Sequence, residues 1–258
     1  MTKYRLFLIC LFLAFWVWAA IDPLYYDGWL LENYLIFIFV PIILIIGRYF
    51  KLSDVSYTLI TAFLILHVIG SHYTYAEVPF GFTLQEWTGA PRNMYDRLVH
   101  FSFGFLLVYP LREVFMRLAR ARGVWGYYFP VDVMLALSGL YEIIEWLAAA
   151  RVNPEAGLAF LGTQGDIWDA QKDMTLATGG AIAAMFFIAL INAVYQKNFS
   201  QEMRESVRIA REDEPLGEIR LREMLAERGS PGTGRFLSTM AILILLTALL
   251  WIGTYLGL

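Results

Sequence analysis

The chain has 258 residues, of which 59% are hydrophobic, 16% aromatic and 17% charged, with a mean hydropathy of +0.55. Soluble domains carry roughly 45–50% apolar and about 25% charged residues, so these proportions exclude an ordinary soluble fold. The net charge of −3 gives no reason to expect a nucleic-acid partner, and a single cysteine, Cys10, excludes an intrachain disulfide.

Seven apolar segments follow in chain order, at residues 4–21, 34–47, 55–70, 95–114, 130–150, 174–195 and 236–257. A hydrocarbon core of ~30 Å takes about 20 helical residues, so the second and third are short and need Tyr34, Arg48 and His72 as interfacial anchors. The first segment follows Lys3 and Arg5 and ends near Ala19 and Ala20, which are marks of a signal peptide. Its length and aromatic end favour a retained span. The expected fold is an all-α polytopic transmembrane bundle: a six-helix body over residues 1–195, a charged connection over 196–235, and a seventh, C-terminal helix over 236–258.

Basic residues set the orientation. With the N-terminus inside, sixteen of the twenty Lys and Arg residues lie on the cytoplasmic side, eight of them between Lys197 and Arg235, and only Arg92, Arg97, Arg151 and Lys172 lie outside. The expected location is the bacterial inner membrane, with a cytoplasmic N-terminus. The connection mixes Arg204, Arg208, Arg211 and Arg222 with Glu212, Glu218 and Glu223 and reads as a solvated helix pair touching anionic lipid head groups.

The chemistry lies in charged residues set within the apolar segments, each costing about 2.5–3.5 kcal/mol near the bilayer centre on insertion scales. Segment three ends in GSHYTY with His72, segment four opens with YDRLVHFSFG, segment five contains YEIIEW, and segment six is reached through GTQGDIWDAQKDM. Asp96 and His100 are four apart, and Glu142 and Glu145 three apart, so each pair shares a helix face. Asp166, Asp169 and Asp173 form one stripe. Alternating helix directions bring all four motifs to the outer half of the membrane. At ~1.5 Å per residue, His100 and Asp173 lie roughly 8–9 Å and Glu142 about 12 Å below that boundary.

So many carboxylates need compensation. Three arrangements supply it: a divalent cation on mixed carboxylate and imidazole ligands, protonation of some carboxylates, or neutralisation by Arg97 and Lys172 in a polar network that locks the helices. His67 reads as a packing or hydrogen-bonded histidine, and Gly179 and Gly180 as sites of close helix approach.

In these motifs, across residues 4–195, the chain resembles the YjdF-type inner-membrane family of bacteria, a domain of unknown function. More distantly it is similar to VanZ-like membrane proteins, linked to glycopeptide resistance, whose pattern is matched by Asp96, His100, Glu142 and Asp173. It departs from that pattern at Glu145, where the pattern has Gln, and at Thr178, where it has Asn.

The expected function is an envelope-facing membrane enzyme acting on a lipid or lipid-linked substrate. His72, Asp96, His100, Glu142, Glu145 and Asp166 are candidate acid–base groups. His100, Glu142, Asp169 and Asp173 are candidate ligands of a divalent metal ion whose identity the sequence does not choose, and Arg97 and Lys172 are candidates for gripping an anionic head group. The alternatives are a proton- or cation-coupled transporter and a structural or regulatory scaffold. Membrane lipids are the expected partners, and the sequence does not set an oligomeric state.

Overall fold

The computed structural model describes residues 2–151, 163–208, 241–242 and 244–248. Every regular element among them is helical. Residues 152–162, most of the charged connection and most of the seventh segment lie outside the described residues. The chain divides into two units, Met1–Val207 and Arg208–Leu258. In the second, the described residues 241–242 and 244–248 are helical.

In the first unit the elements are α1 (Lys3–Ala20), α2 (Tyr26–Tyr49), α3 (Asp54–Tyr73), a 3-10 turn (Tyr75–Glu77), α4 (Pro79–Thr88), α5 (Tyr95–Leu118), α6 (Trp125–Ala149), α7 (Asp169–Tyr195) and α8 (Phe199–Ser206). Five of them, α1, α2, α3, α5 and α7, are long and apolar enough to cross a membrane. α6 carries Asp132, Glu142 and Glu145 within 25 residues and is not among the five. Helix starts follow local chemistry: Thr2 and Ser53 accept hydrogen bonds from Arg5 N and Ser56 N, and α4 begins on Pro79 and ends at Gly89, whose φ of +67° suits a left-handed cap.

α2 starts eight residues before the apolar run expected at 34, because its polar residues are accommodated inside. Asn33 is fully buried, donates to Trp29 O at 2.7 Å and accepts from Trp16 Nε1 of α1 at 2.8 Å. α4 and the 3-10 turn lie in what the hydropathy pattern leaves as a loop. α8 is the described start of the charged connection; its Glu202 and Ser206 side chains accept from the backbone N–H groups of Gly123 and Val124, closing the turn between α5 and α6.

α5 is central, packed against α3, α6 and α7. Its seam with α7 is the tightest. A Cβ on Gly104 would lie 1.7 Å from Ala177 O, and one on Gly180 would lie 2.2 Å from Phe101 O. Backbone thus meets backbone, the approach that small residues permit between membrane helices. Gly180 plays the part expected of it; Gly179 has nothing within 4 Å of its notional Cβ, and the second glycine of the seam is Gly104. Below this contact Val108, Met134, Ala181, Ala184 and Met185 form an apolar core shared by α5, α6 and α7. Above it lie the charged first turns of α5 and α7.

Candidate functional site

The start of α5 is built by Asn93. Its Oδ1 accepts from Tyr95 N at 2.9 Å and its Nδ2 donates to Val78 O at 3.0 Å. Tyr95, almost fully buried, donates its hydroxyl to Leu66 O at 2.8 Å. With the first turn pinned, Asp96, Arg97 and His100 project towards α6 and α7.

Two arginines stitch this turn to α7. Arg92 pairs with Asp96 at 3.1 Å and also with Asp169. Arg97 pairs with Asp169 at 2.5 Å, with Asp166 at 3.1 Å and with Asp173, and donates to Asp169 O at 3.2 Å. Their planar, multi-donor guanidinium groups suit several carboxylates at once. Lys172 pairs with Asp166 at 2.6 Å; this hydrogen bond, aided by the backbone N–H of Trp168 and the charge of Arg97, holds the Asp166 carboxyl below the usual aspartate range. Arg97 and Lys172 are therefore engaged by carboxylates of the chain itself. Arg92 was not expected here, although its position one helical turn before Asp96 was the available signal.

His100 stands at the centre. Its Nε2 is 3.4 Å from Asp96 Oδ1 and 4.0 Å from Asp173 Oδ1, while its Nδ1 is 3.9 Å from Glu142 Oε1. Asp96, His100 and Asp173 each offer a ligand atom, all within 4.8 Å of one another. Ligands at about 2.1 Å from one ion lie some 3–4 Å apart, so this group could hold a metal after a small contraction. The donor set, two carboxylates and an imidazole, suits zinc, manganese or iron. Of the four ligands expected from the sequence, His100 and Asp173 fall in this group and Asp96 joins them. Asp169 is held by both arginines and lies outside the group, Asp96 and Asp173 each meet one arginine as well, and Glu142 lies at the opposite ring nitrogen.

A second layer borders the first. Tyr141 packs against His100 with ring centroids 5.9 Å apart and is hydrogen-bonded to Glu145. Glu145 lies in electrostatic range of Glu142, Glu32 and Asp96. Glu32 of α2, which the sequence did not single out, is 6% exposed, and its Oε2 has no hydrogen-bond partner among the described residues. It senses the charges of Asp96 and His100. His67 is hydrogen-bonded, as expected, with Nδ1 2.6 Å from Tyr75 Oη and Nε2 3.2 Å from Glu32 O. Burial pushes the Tyr75 hydroxyl well above its ordinary range.

His72 is not brought to this cluster. Its ring packs on Trp18 and Tyr73, with centroids 4.5 and 4.6 Å away, and its Nδ1 is 3.2 Å from Ala19 O. Five residues beyond His67, it points about 140° around α3 from that residue, which turns it towards α1.

Over 172 residues the chain is 41% identical to the inner membrane protein YjdF of Escherichia coli (strain K12), an alignment covering 66% of this chain and 82% of that one. No solved structure matches the chain. Residues 4–193 match the family described as "Predicted membrane protein (DUF2238)". With several long apolar helices and this match over most of its length, the chain is a multi-pass membrane protein and belongs to the DUF2238 family.

Proposed function

We propose that the protein is a membrane-embedded enzyme that acts on a lipid or lipid-linked envelope substrate, with a divalent cation at Asp96, His100 and Asp173. The observation that carries this reading is the meeting of those three side chains, from α5 and α7, at one end of the bundle. The charge balance supports it. Arg92 and Arg97 stand against Asp96, Asp169 and Asp173, with Glu142, Glu145 and Glu32 nearby. Positive charge from a cation or from protons fits this excess.

A cation held there would supply Lewis-acid polarisation of a phosphoryl or carbonyl oxygen, or an activated water. Glu142, with Oε1 3.9 Å from Nδ1 of His100 and no hydrogen bond between them, puts a negative charge on the side of the ring opposite the two aspartates and so favours the orientation in which Nε2 faces them. Arg92 and Arg97 fix Asp169 and Asp173 and thereby the distance between α5 and α7. Glu145, beside Tyr141 and Glu142, would act as the proton donor or acceptor behind the site.

A transporter needs polar groups that continue to the opposite face. The apolar core of Val108, Met134, Ala181, Ala184 and Met185 lies in that direction, which favours a one-sided site over the transporter reading. The distant likeness to VanZ-like proteins, with the N-terminus placed inside, agrees with a site that faces the envelope. The test is to incubate the purified protein with a bacterial envelope lipid extract, with and without Mn²⁺ or Zn²⁺, and to compare the lipids by mass spectrometry. A cation-dependent product from the wild type that Asp173→Asn fails to form supports the reading. No product from the wild type under any cation counts against it and favours a scaffold.

A further inference from the structure

Access to the cluster differs between its end and its side. At the helix ends, Arg92 donates to Thr163 O at 3.1 Å, and Gln164 exchanges hydrogen bonds of 3.0 and 3.3 Å with the backbone of Asn93. Among the described residues, this turn covers the arginine–aspartate layer. At the side, a cavity of about 570 Å³ opens between α6 and α7. Its walls are Ala136, Gly139, Leu140, Ile143, Trp146 and Met174, and its only charged lining residue is Glu142.

We infer that this groove admits the hydrocarbon chain of a membrane lipid from the side and sets that lipid's polar linkage at Glu142 and His100. The inference deepens the functional reading above and rests on it for the chemistry done at the head group. Three observations carry it. Leu140, Ile143 and Trp146 are 52%, 52% and 47% exposed, on a helix whose neighbours in the bundle cross the membrane, so these side chains meet acyl chains. Two of the lining residues are small, Ala136 and Gly139, and a Cβ on Gly139 would lie in contact with Met174 Sδ at 3.4 Å, so α6 presents little bulk beside that side chain. Glu142 lines the groove between Gly139 and Trp146, and its Oε1, buried behind that wall 3.9 Å from His100, has no hydrogen-bond partner among the described residues. A buried carboxylate oxygen without a donor is costly, and a head-group hydroxyl, such as those of phosphatidylglycerol, would satisfy it once the side chain turns towards the groove.

The experiment uses the full chain in vesicles that contain phosphatidylglycerol with a diazirine in one acyl chain. After illumination, adducts are mapped by peptide mass spectrometry. Adducts should concentrate on α6 around 136–146 and on Met174. Ala136→Phe and Ile143→Trp, which fill the groove from floor and rim, should each lower those adducts roughly tenfold, the change expected when about two buried methylenes lose their place. Adducts on α1 and α2 should persist. Either variant suffices if the other does not purify as a monodisperse protein. Even labelling of all lipid-facing helices, or groove labelling unchanged by filling, overturns the inference. Cation content measured on the same samples separates the two ideas: groove labelling without any bound cation keeps the groove and removes the metal-dependent enzyme, and the opposite pattern does the reverse.

Discussion

Arg97 of α5 contacts Asp169 of α7 at 2.5 Å, with both side chains less than a tenth exposed. Because the same guanidinium also reaches Asp166 and Asp173, one side chain compensates three carboxylates across the tightest helix seam. Removing a partner from a buried pair costs about 3–5 kcal/mol. Arg97→Met should therefore destabilise the protein by that order in a denaturant titration in detergent. Asp169→Leu in the same background should recover part of the loss, because it removes a charge left without its partner.

The seam itself gives a paired test. A Cβ at position 180 meets the backbone of Phe101, which cannot move without moving α5, and overpacking of this kind costs about 1–3 kcal/mol. Gly180→Ala should lower the unfolding midpoint accordingly. Gly179→Ala, one residue away and facing open space, should be neutral or slightly stabilising, since alanine is the better helix former by about 1 kcal/mol. Equal effects of the two would contradict the backbone contact.

Much of the site was legible in the sequence because carboxylates and histidines stand out inside apolar runs, and because spacings of three and four assign faces without further information. Asp96, His100 and Asp173 stand out this way, Asp96 as an acid–base candidate and not as a ligand. Arg92 was hidden by its place in a short polar stretch before the helix. Glu32 was hidden because the charged stretch ahead of position 34 looks like the interfacial end of a span; only the Trp16–Asn33 bond between α1 and α2 shows that α2 already runs through the bundle there. The division of labour among the aspartates was not legible either. Spacing places Asp169 and Asp173 on one stripe, and both meet an arginine, but that only Asp173 also comes near His100 depends on how closely α5 and α7 approach at Gly104 and Gly180.

Acid should loosen the turn before α7. Lys172 holds the Asp166 carboxyl below its ordinary range, so the ionised form is favoured in the folded protein. This stabilisation is fully present above the unfolded aspartate value of about 3.9 and is lost as pH falls through the lower folded value. Thermal unfolding followed across that window should show a steeper acid loss for the wild type than for Asp166→Asn. Parallel curves would show that the Lys172 bond is not formed.

The orientation proposed from the distribution of basic residues, with the N-terminus inside, is open to direct labelling. In a Cys10→Ala background, Thr88→Cys, on an exposed position of α4, should react with an impermeant thiol reagent in intact cells. Arg122→Cys, exposed in the turn between α5 and α6, should react only after the membrane is broken. The reverse pattern would put the site on the cytoplasmic face and end the envelope-facing reading.

The presence of a cation at Asp96, His100 and Asp173 is the central claim, and elemental analysis combined with thermal unfolding tests it most directly. Wild-type protein purified without chelator should carry a divalent cation, and Asp173→Asn and His100→Ala should not. A ligand present at about a hundred times its dissociation constant stabilises the folded state by roughly 2.7 kcal/mol. The unfolding midpoint of Asp173→Asn should accordingly fall towards that of chelator-treated wild type, and added cation should raise only the wild type. Metal-free wild-type protein, with a midpoint indifferent to chelator and to added Mn²⁺, Zn²⁺ or Fe²⁺, would contradict the account and leave the cluster as a network of protonated carboxylates and arginine pairs.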